Sequence, residues 1–262
     1  MSTQLLFEKT DGVAIITLNR PEKRNAFSDV MLADWAEALR ESQSDGAVGA
    51  VIVTGMGRAF CAGGDLGQMG DVGGNAALYI GEFLRRNVHP VAEAVRSLRK
   101  PYIAAVNGVA AGAGMDMALM ADIRYAARSA TFMESYVKVG LLPGDGGAFL
   151  LPKVVGTAKA LELLWTGDSI DALEAEKMGI VSRVFDDDVL LDEVRTFAAR
   201  LVGGPRVAIR LIKQAVYRSI GGDLLGALDD ITGPMGVAFA TEDHREAVRA
   251  FSEGRKPDFR GV

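Results

Sequence analysis

The chain has 262 residues, of which 49% are hydrophobic and 24% charged, and its formal net charge at pH 7 is -5. These values are ordinary for a globular protein with a substantial core. The acidic balance argues against a nucleic-acid partner, because phosphate binding requires a basic surface. With one cysteine and two histidines, the chain has no disulfide framework and suggests no metal site.

The N-terminal residues and the apolar runs indicate the cellular compartment of the protein. Residues 1–4 lack the basic and then apolar order of a secretory signal. The longest apolar run, 109–120, is interrupted by Asp116 and is too short to span a bilayer. We therefore expect a cytoplasmic protein that does not enter the membrane.

The first predicted elements are two strands with a helix between them. Val13–Leu18 is rich in β-branched residues and follows a turn, which predicts a strand. Ser28 is a typical N-cap for the amphipathic helix that follows it. Residues 49–54 are apolar on both faces, which predicts a strand buried on both.

Two glycine-rich loops, each closing a predicted strand, are the strongest indication of chemistry. Residues 60–66 (FCAGGDL) follow the second strand, and residues 107–116 (NGVAAGAGMD) follow a third at Tyr102–Val106. Small residues let backbone N–H groups approach a ligand closely. N–H groups from two such loops can converge on one oxygen that becomes negative during reaction, which is an oxyanion hole.

The rest of the chain is predicted to contain both helices and strands up to about residue 200 and only helices after it. Residues 67–75 are polar and predicted to be mobile, and 76–98 form a helix that Pro101 ends. A helix beginning at Gly112 is followed by strands at 123–126 and 180–185. No strand is predicted after about residue 200. The sequence predicts an α/β core over 1–200 and a helical segment over 201–262.

Six blocks in order resemble the crotonase (enoyl-CoA hydratase/isomerase) superfamily. They are NRPEKRNA at 19–26, AFCAGGDL at 59–66, 100–114, GLLPGDGG at 140–147, LWTG at 164–167 and AEKMGIV at 175–181. The resemblance implies a spiral of ββα units and C-terminal helices that build a homotrimer or a hexamer. It also implies an acyl-CoA substrate, with coenzyme A as part of that substrate and no separate cofactor.

The resemblance also assigns binding residues. It implies that the N–H groups of Gly64 and Ala113 form the oxyanion hole. Ala113 is independently predicted at a helix start, where free N–H groups favour an anion. The positions that line the coenzyme A site in the family are here Arg24, Ala26, Ala62, Asp65 and Leu66. Arg24 is suited to a phosphate, and a solvated loop arginine is the alternative.

The catalytic positions depart from the family pattern. Family hydratases use two glutamates, and this chain has Asp116 and Tyr136 at those positions. Asp116 follows Ala113 by three residues and could exchange protons with a substrate beside it. The alternative is an acid that only satisfies the helix dipole. An unperturbed phenol has a pKa of about 10, so Tyr136 is not a base near neutral pH; it orients a water or substrate group, or walls the pocket.

A second acid is available at Asp145, in the PGDGG loop. A β-diketone hydrolase branch of the superfamily carries an aspartate at this position. Asp116 and Asp145 in one apolar pocket could divide the acid and base roles, although Asp145 also suits a turn before Gly146. Glu134 is predicted to be a solvated carboxylate, and His89 a polar helix residue without a catalytic role.

The resulting hypothesis is an enzyme of fatty acid metabolism that hydrates or isomerises an enoyl-CoA through an enolate held in the oxyanion hole. Two alternatives stay open. One is hydrolysis of a C–C or thioester bond by means of Asp145. The other is a subunit that binds acyl-CoA without turning it over.

Overall fold

The computed structural model describes residues 1–65 and 76–262. Its helices and strands alternate through the first two thirds of the chain, and only helices follow. The strands are β1 Leu5–Thr10, β2 Val13–Leu18, β3 Ala50–Gly55, β4 Ala59–Cys61, β5 Tyr102–Val106, β6 Val109–Ala111, β7 Ile123–Ala127, β8 Thr131–Met133, β9 Ile170–Asp171 and β10 Arg183–Phe185. The helices are α1 Asp29–Ser44, α2 Ala76–Phe83, α3 His89–Ser97, α4 Ala113–Leu119, α5 Gly147–Val155, α6 Thr157–Thr166, α7 Ala172–Lys177, α8 Leu190–Val202, α9 Arg206–Ser219, α10 Leu224–Phe239 and α11 Glu242–Glu253.

The strands form two sheets. The first has the order β1-β2-β3-β5-β7-β10, and all its pairings except β1 with β2 are parallel. The second has the order β4-β6-β8-β9, with β4, β6 and β8 parallel. Each repeating unit of the chain therefore adds one strand to the first sheet and a short strand to the second. The ββα repeat follows from this alternation.

The core lies around the central strands of the first sheet. Every residue of β3 and β5 is buried, as expected of parallel strands covered on both faces. Helix α1 packs on this sheet through Trp35, whose Nε1 donates a hydrogen bond to the Tyr102 hydroxyl over 3.1 Å. Ser28 caps α1 by accepting a hydrogen bond from the Met31 N–H, which confirms the predicted start of this helix.

Two predicted elements differ from the structure. The helix predicted over 76–98 is divided into α2, a π-helical turn at Leu84–Val88 and α3. The strand predicted over 180–185 begins only at Arg183, because the carbonyl of Ile180 accepts the Arg124 guanidinium instead of a sheet partner. The predicted mobile stretch at 67–75 lies outside the described residues. Within those residues, no helix is both long and apolar enough to cross a membrane.

Candidate active site

The site is built at one edge of the second sheet. Strands β4, β6 and β8 are neighbouring and parallel, so their carboxyl ends meet at the same edge. The three segments that follow these strands contain Gly63 and Gly64, then Gly112 and Ala113, and then Glu134 to Tyr136. In parallel sheets the carboxyl edge is the usual place for a ligand. This topology brings the two predicted glycine loops together.

The two loops touch each other. Gly63 has φ +90°, and a Cβ placed there would lie 2.9 Å from the Ala111 carbonyl oxygen and 3.4 Å from the Ala113 nitrogen. Gly63 therefore lets β4 approach the start of α4. Within residues 1–65 and 76–262, neither the Gly64 N–H nor the Ala113 N–H donates a hydrogen bond. Two neighbouring donors without acceptors suit an oxyanion.

Asp116 lies in the first turn of α4 and is completely buried. Its Oδ2 accepts a hydrogen bond from the Tyr136 hydroxyl over 2.7 Å. Burial raises the pKa of Asp116 above its ordinary value, and the Tyr136 hydroxyl is the main opposing influence. Asp116 is thus a buried acid on the same helical turn as the Ala113 N–H, as the sequence predicted.

Asp145 joins Asp116 through Tyr136. The Tyr136 oxygen lies 3.2 Å from Asp145 Oδ2 as well. Burial, and secondly the charge of Asp116, raises the pKa of Asp145 to about 6. A phenol has one proton, so it cannot donate to both acids at once. The contact of the hydroxyl with Asp116 is the shorter one, and its hydrogen bond with Asp145 lowers the pKa of that acid.

His89 lies beside the acid cluster of Asp116, Tyr136 and Asp145. Its Nε2 lies 3.2 Å from the carbonyl oxygen of Gly144, beside Asp145, and its electrostatic influence lowers the pKa of that acid. It is the first residue of α3 and half-buried. The imidazole contacts the backbone of the loop, which agrees with its prediction as a polar helix residue.

Glu134 is the site residue that the sequence analysis placed wrongly. It was predicted to be a solvated carboxylate, and it is buried, with 1% of its surface exposed. It follows the last residue of β8, so its side chain enters the space beside Asp116. Burial, and then the charge of Asp116, raises its pKa well above the usual range. A signal was available in its spacing of two from Tyr136, but that spacing implies a shared face only on a strand.

The predicted coenzyme A residues lie on loops around the first glycine turn. The Ala62 N–H donates to the Arg24 carbonyl over 3.0 Å, which joins the two loops. The Arg24 side chain is exposed, and Ala26 is buried. The Asp65 carboxylate pairs with Arg20 over 3.1 Å. Leu66 lies outside the described residues.

A cavity of about 420 Å³ adjoins Asp145. Apolar side chains form much of its wall, together with cationic residues and Asp122 towards α9. The apolar lining residues include Leu119, Met120, Phe149, Leu150 and Ile220. Asp145 is the lining residue that also belongs to the acid cluster, so a small apolar group in this cavity would lie near that acid.

Known proteins resemble this chain over nearly its whole length. The family model described as enoyl-CoA hydratase/isomerase matches residues 8–262. The 1,2-epoxyphenylacetyl-CoA isomerase of Escherichia coli K12 is 40% identical over 250 residues, with 95% of each chain covered. The crotonyl-CoA hydratase of Syntrophomonas wolfei is 35% identical over 256 residues, with 97% of each covered.

A solved structure shows the same fold. The enoyl-CoA hydratase subunit I of Geobacillus kaustophilus HTA426 superposes with a TM-score of 0.91 at 36% identity. The alignment covers 99% of this chain and 98% of that one. The predicted α/β class, with a crotonase-like core and a C-terminal helical segment, is therefore confirmed.

Proposed function

Because the chain belongs to the enoyl-CoA hydratase/isomerase family, we propose that it converts an enoyl-CoA by proton transfer next to the thioester. The observation that carries this proposal is the single hydroxyl of Tyr136, which reaches two buried carboxyl groups, Asp116 and Asp145. Asp116 follows Ala113 in the same turn of α4, and the Ala113 N–H is one of the two donors that have no acceptor within the described residues. An acid and an oxyanion site in one place are what enolate chemistry requires.

The proposed reaction begins at the thioester carbonyl. Its oxygen accepts hydrogen bonds from the Gly64 and Ala113 N–H groups, which acidifies the neighbouring α-carbon. The Asp116 carboxylate removes a proton from that carbon, and the electron pair of the broken C–H bond moves into an enolate whose negative oxygen the two N–H groups stabilise. Loss of one such donor typically lowers the rate by about 10²–10³.

Double-bond migration is the outcome that this site favours over hydration. In migration, one carboxyl group takes a proton from the α-carbon and returns it to the γ-carbon, and the thioester carbonyl re-forms. Hydration needs a second base to activate water, and Tyr136 stands at the position of that base. Its hydroxyl also occupies an oxygen of each acid, which leaves fewer acceptors for a water.

The proposed binding residues are assigned by their resemblance to the family pattern. We assign Arg24, Ala26, Ala62, Asp65 and Leu66 to the coenzyme A moiety, with the Arg24 guanidinium free to meet a phosphate at the surface. Coenzyme A enters as part of the substrate, and the proposed steps use no separate cofactor and no metal. The acyl group occupies the cavity beside Asp145.

The C-terminal helices support the proposal of a homotrimer or a hexamer. None of the residues of α9 and α10 is buried, although both helices carry large apolar side chains. Leu224 and Leu225 are each 73% exposed, and Phe239 is 67% exposed. Large exposed apolar side chains at both ends of α10 support an interaction surface on this helix. Sedimentation equilibrium should give the mass of three or six chains, and a monomer would contradict the proposal.

The cytoplasm is the compartment that we propose. The lone thiol, Cys61, is free and buried, which agrees with a reducing environment. A role in fatty acid metabolism follows from the proposed substrate class.

The test of the reaction is mass spectrometry on 2-enoyl-CoA and 3-enoyl-CoA esters incubated with the enzyme in deuterated water. A moved double bond with deuterium and no added water supports isomerisation. A product heavier by one water would contradict isomerisation and show hydration instead. Release of free coenzyme A, or cleavage of a carbon–carbon bond, replaces it with hydrolysis through Asp145. Binding without any product replaces it with a non-catalytic subunit.

A further inference from the structure

Glu134 and Asp116 form a pair of buried carboxyl groups beside the start of α5. A Cβ placed on Gly147 would overlap Asp116 Oδ1 and would lie 3.1 Å from Glu134 Oε1. The two carboxyl groups therefore meet around the same backbone position. Asp116 Oδ1 and both Glu134 oxygens find no hydrogen-bond donor in the described parts of the chain. A proton shared between the two carboxyl groups would give these atoms a hydrogen bond, and buried polar atoms need such partners.

The surroundings decide which acid carries that proton. Asp116 accepts the Tyr136 hydroxyl, lies in the first turn of its own helix, and faces the first residue of the nine-residue helix α5. Helix N-termini favour the ionised form of an acid. Glu134 also lies near the first residue of α5, but it accepts no hydroxyl hydrogen bond in the described parts of the chain. The negative charge therefore rests on Asp116, and the proton rests on Glu134.

The other titratable groups near the pair agree with this assignment. Asp145 is the second acid that acts on Glu134, and like Asp116 it raises the Glu134 pKa. Tyr136 is neutral, since burial raises the pKa of its phenol far above the physiological range. His89 and the buried thiol of Cys61 are charge neighbours of Asp145. No cation among the described residues forms an ion pair with Glu134.

We propose that Glu134 is a positioning residue whose neutral carboxyl group donates a hydrogen bond to Oδ1 of Asp116 and holds that carboxylate in its catalytic orientation. Tyr136 then fixes Oδ2 and Glu134 fixes Oδ1. The proton stays on Glu134 throughout, so the pair carries a single negative charge. This inference rests on the proposed function in one respect, which is that Asp116 is the group that moves protons.

The consequence for catalysis is geometric. Asp116 is one methylene shorter than the glutamate that family hydratases carry at this position. A displacement of ~1 Å can lower a rate by about 10². A carboxylate held through both oxygens cannot rotate away from the substrate, so loss of the Glu134 contact should lower kcat more than it changes KM.

Two variants and a control test this assignment. Glu134→Gln keeps a neutral donor of the same shape, and we expect it to retain kcat within about threefold. Glu134→Leu keeps the volume without the donor, and we expect kcat to fall roughly 10²-fold with KM nearly constant. Glu193→Gln, on the exposed face of α8, should behave as the unaltered enzyme. Thermal unfolding reports whether Glu134→Leu is folded.

The pH profile separates positioning from packing. If Glu134 is neutral, Glu134→Gln leaves the acid limb of kcat/KM in place. If Glu134 is ionised, the substitution removes a negative charge beside Asp116, lowers the Asp116 pKa and moves that limb to lower pH. Such a movement would overturn the inference. Full activity in a folded Glu134→Leu variant would overturn it too.

Infrared difference spectroscopy gives a readout that needs no turnover. At about pH 7.5, Asp145 is ionised and Glu134 is not, so the spectrum should contain the carbonyl band of one buried neutral acid, absent from Glu134→Gln. If no enoyl-CoA ester is converted but this band is present, the proposed function fails and the protonated pair stands. If esters are converted and the band is missing, the inference fails alone.

Discussion

The Tyr136 hydroxyl donates a hydrogen bond to Oδ2 of Asp116 over 2.7 Å, at the position where family hydratases have a second glutamate. The same oxygen lies 3.2 Å from Asp145. A residue that cannot act as a base near neutral pH therefore links two that can. This link distinguishes the site from one in which two glutamates share a water.

Replacement of Tyr136 by phenylalanine should change the pH dependence of the reaction. The hydroxyl lowers the pKa of both Asp116 and Asp145, so its loss raises both. A hydrogen bond to a charged group contributes about 1.5–3 kcal/mol, which corresponds to a pKa change of about one unit or more. The acid limb of kcat/KM in Tyr136→Phe should therefore move to higher pH by about that amount.

A control for Tyr136→Phe is Tyr102→Phe. That variant loses a buried hydrogen bond from Trp35 without touching the acid cluster. It should unfold at lower temperature and keep the pH profile of the unaltered enzyme. The interpretation of Tyr136 would be wrong if the two variants gave the same profile.

Asp145 should destabilise the folded protein at high pH. Its folded pKa of about 6 lies above the usual aspartate value of 3.8, so the folded state favours its protonated form. The cost of ionising it is absent below about pH 4, grows as the pH rises to about 6, and then stays constant at no more than about 3 kcal/mol. Asp145→Asn should thus raise the melting temperature at about pH 8 and leave it nearly unchanged at about pH 4. Equal melting curves at both pH values would show that Asp145 ionises freely.

Gly147 should tolerate no side chain. A Cβ at this position overlaps Asp116 Oδ1, so Gly147→Ala must displace either α5 or the carboxylate. Overpacking of this kind typically costs about 1–3 kcal/mol, and we expect activity to fall by about 10² or more. The control is Gly46→Ala, where no neighbouring heavy atom lies within 4 Å. Similar activity in the two variants would contradict the described packing.

The Ala113 N–H can be removed without removing the helix. Proline is well tolerated at the first helical position, where its missing N–H has no intrahelical partner. Ala113 is the first residue of α4. Ala113→Pro should keep the fold, as measured by circular dichroism and thermal unfolding. It should lower kcat/KM by about 10²–10³ if this N–H binds the oxyanion, and a folded variant of normal activity would exclude that role.

Local sequence signals predicted much of the scaffold. The strands at Val13–Leu18 and Tyr102–Val106 have the predicted bounds, because continuous β-branched and apolar runs between turns allow few alternatives. The Asp171 side chain caps α7 by accepting the Glu174 N–H, a local contact between residues three apart. Short strands such as Thr131–Met133 were not predicted, since three residues carry no periodicity and form only against a neighbouring strand.

The site was predictable only in part. The two glycine loops and Asp116 could be identified from order and spacing, because one helical turn fixes the relation of Asp116 to Ala113. The burial of Glu134 could not be identified in this way. It depends on the start of α5 at Gly147, which packs against both Asp116 and Glu134. The bridge from Tyr136 to Asp145 also joins segments whose approach is set by tertiary packing.

The most direct test of the central claim is hydrogen exchange at the α-carbon of a saturated acyl-CoA in deuterated water, followed by mass spectrometry. This substrate can lose and regain its α-proton but cannot be hydrated or isomerised, so only the first step is measured. We predict that the unaltered enzyme incorporates deuterium and that Asp116→Asn binds the ester equally well but exchanges at least about 10²-fold more slowly. Equal exchange in both proteins would contradict the assignment of Asp116 as the acid and base.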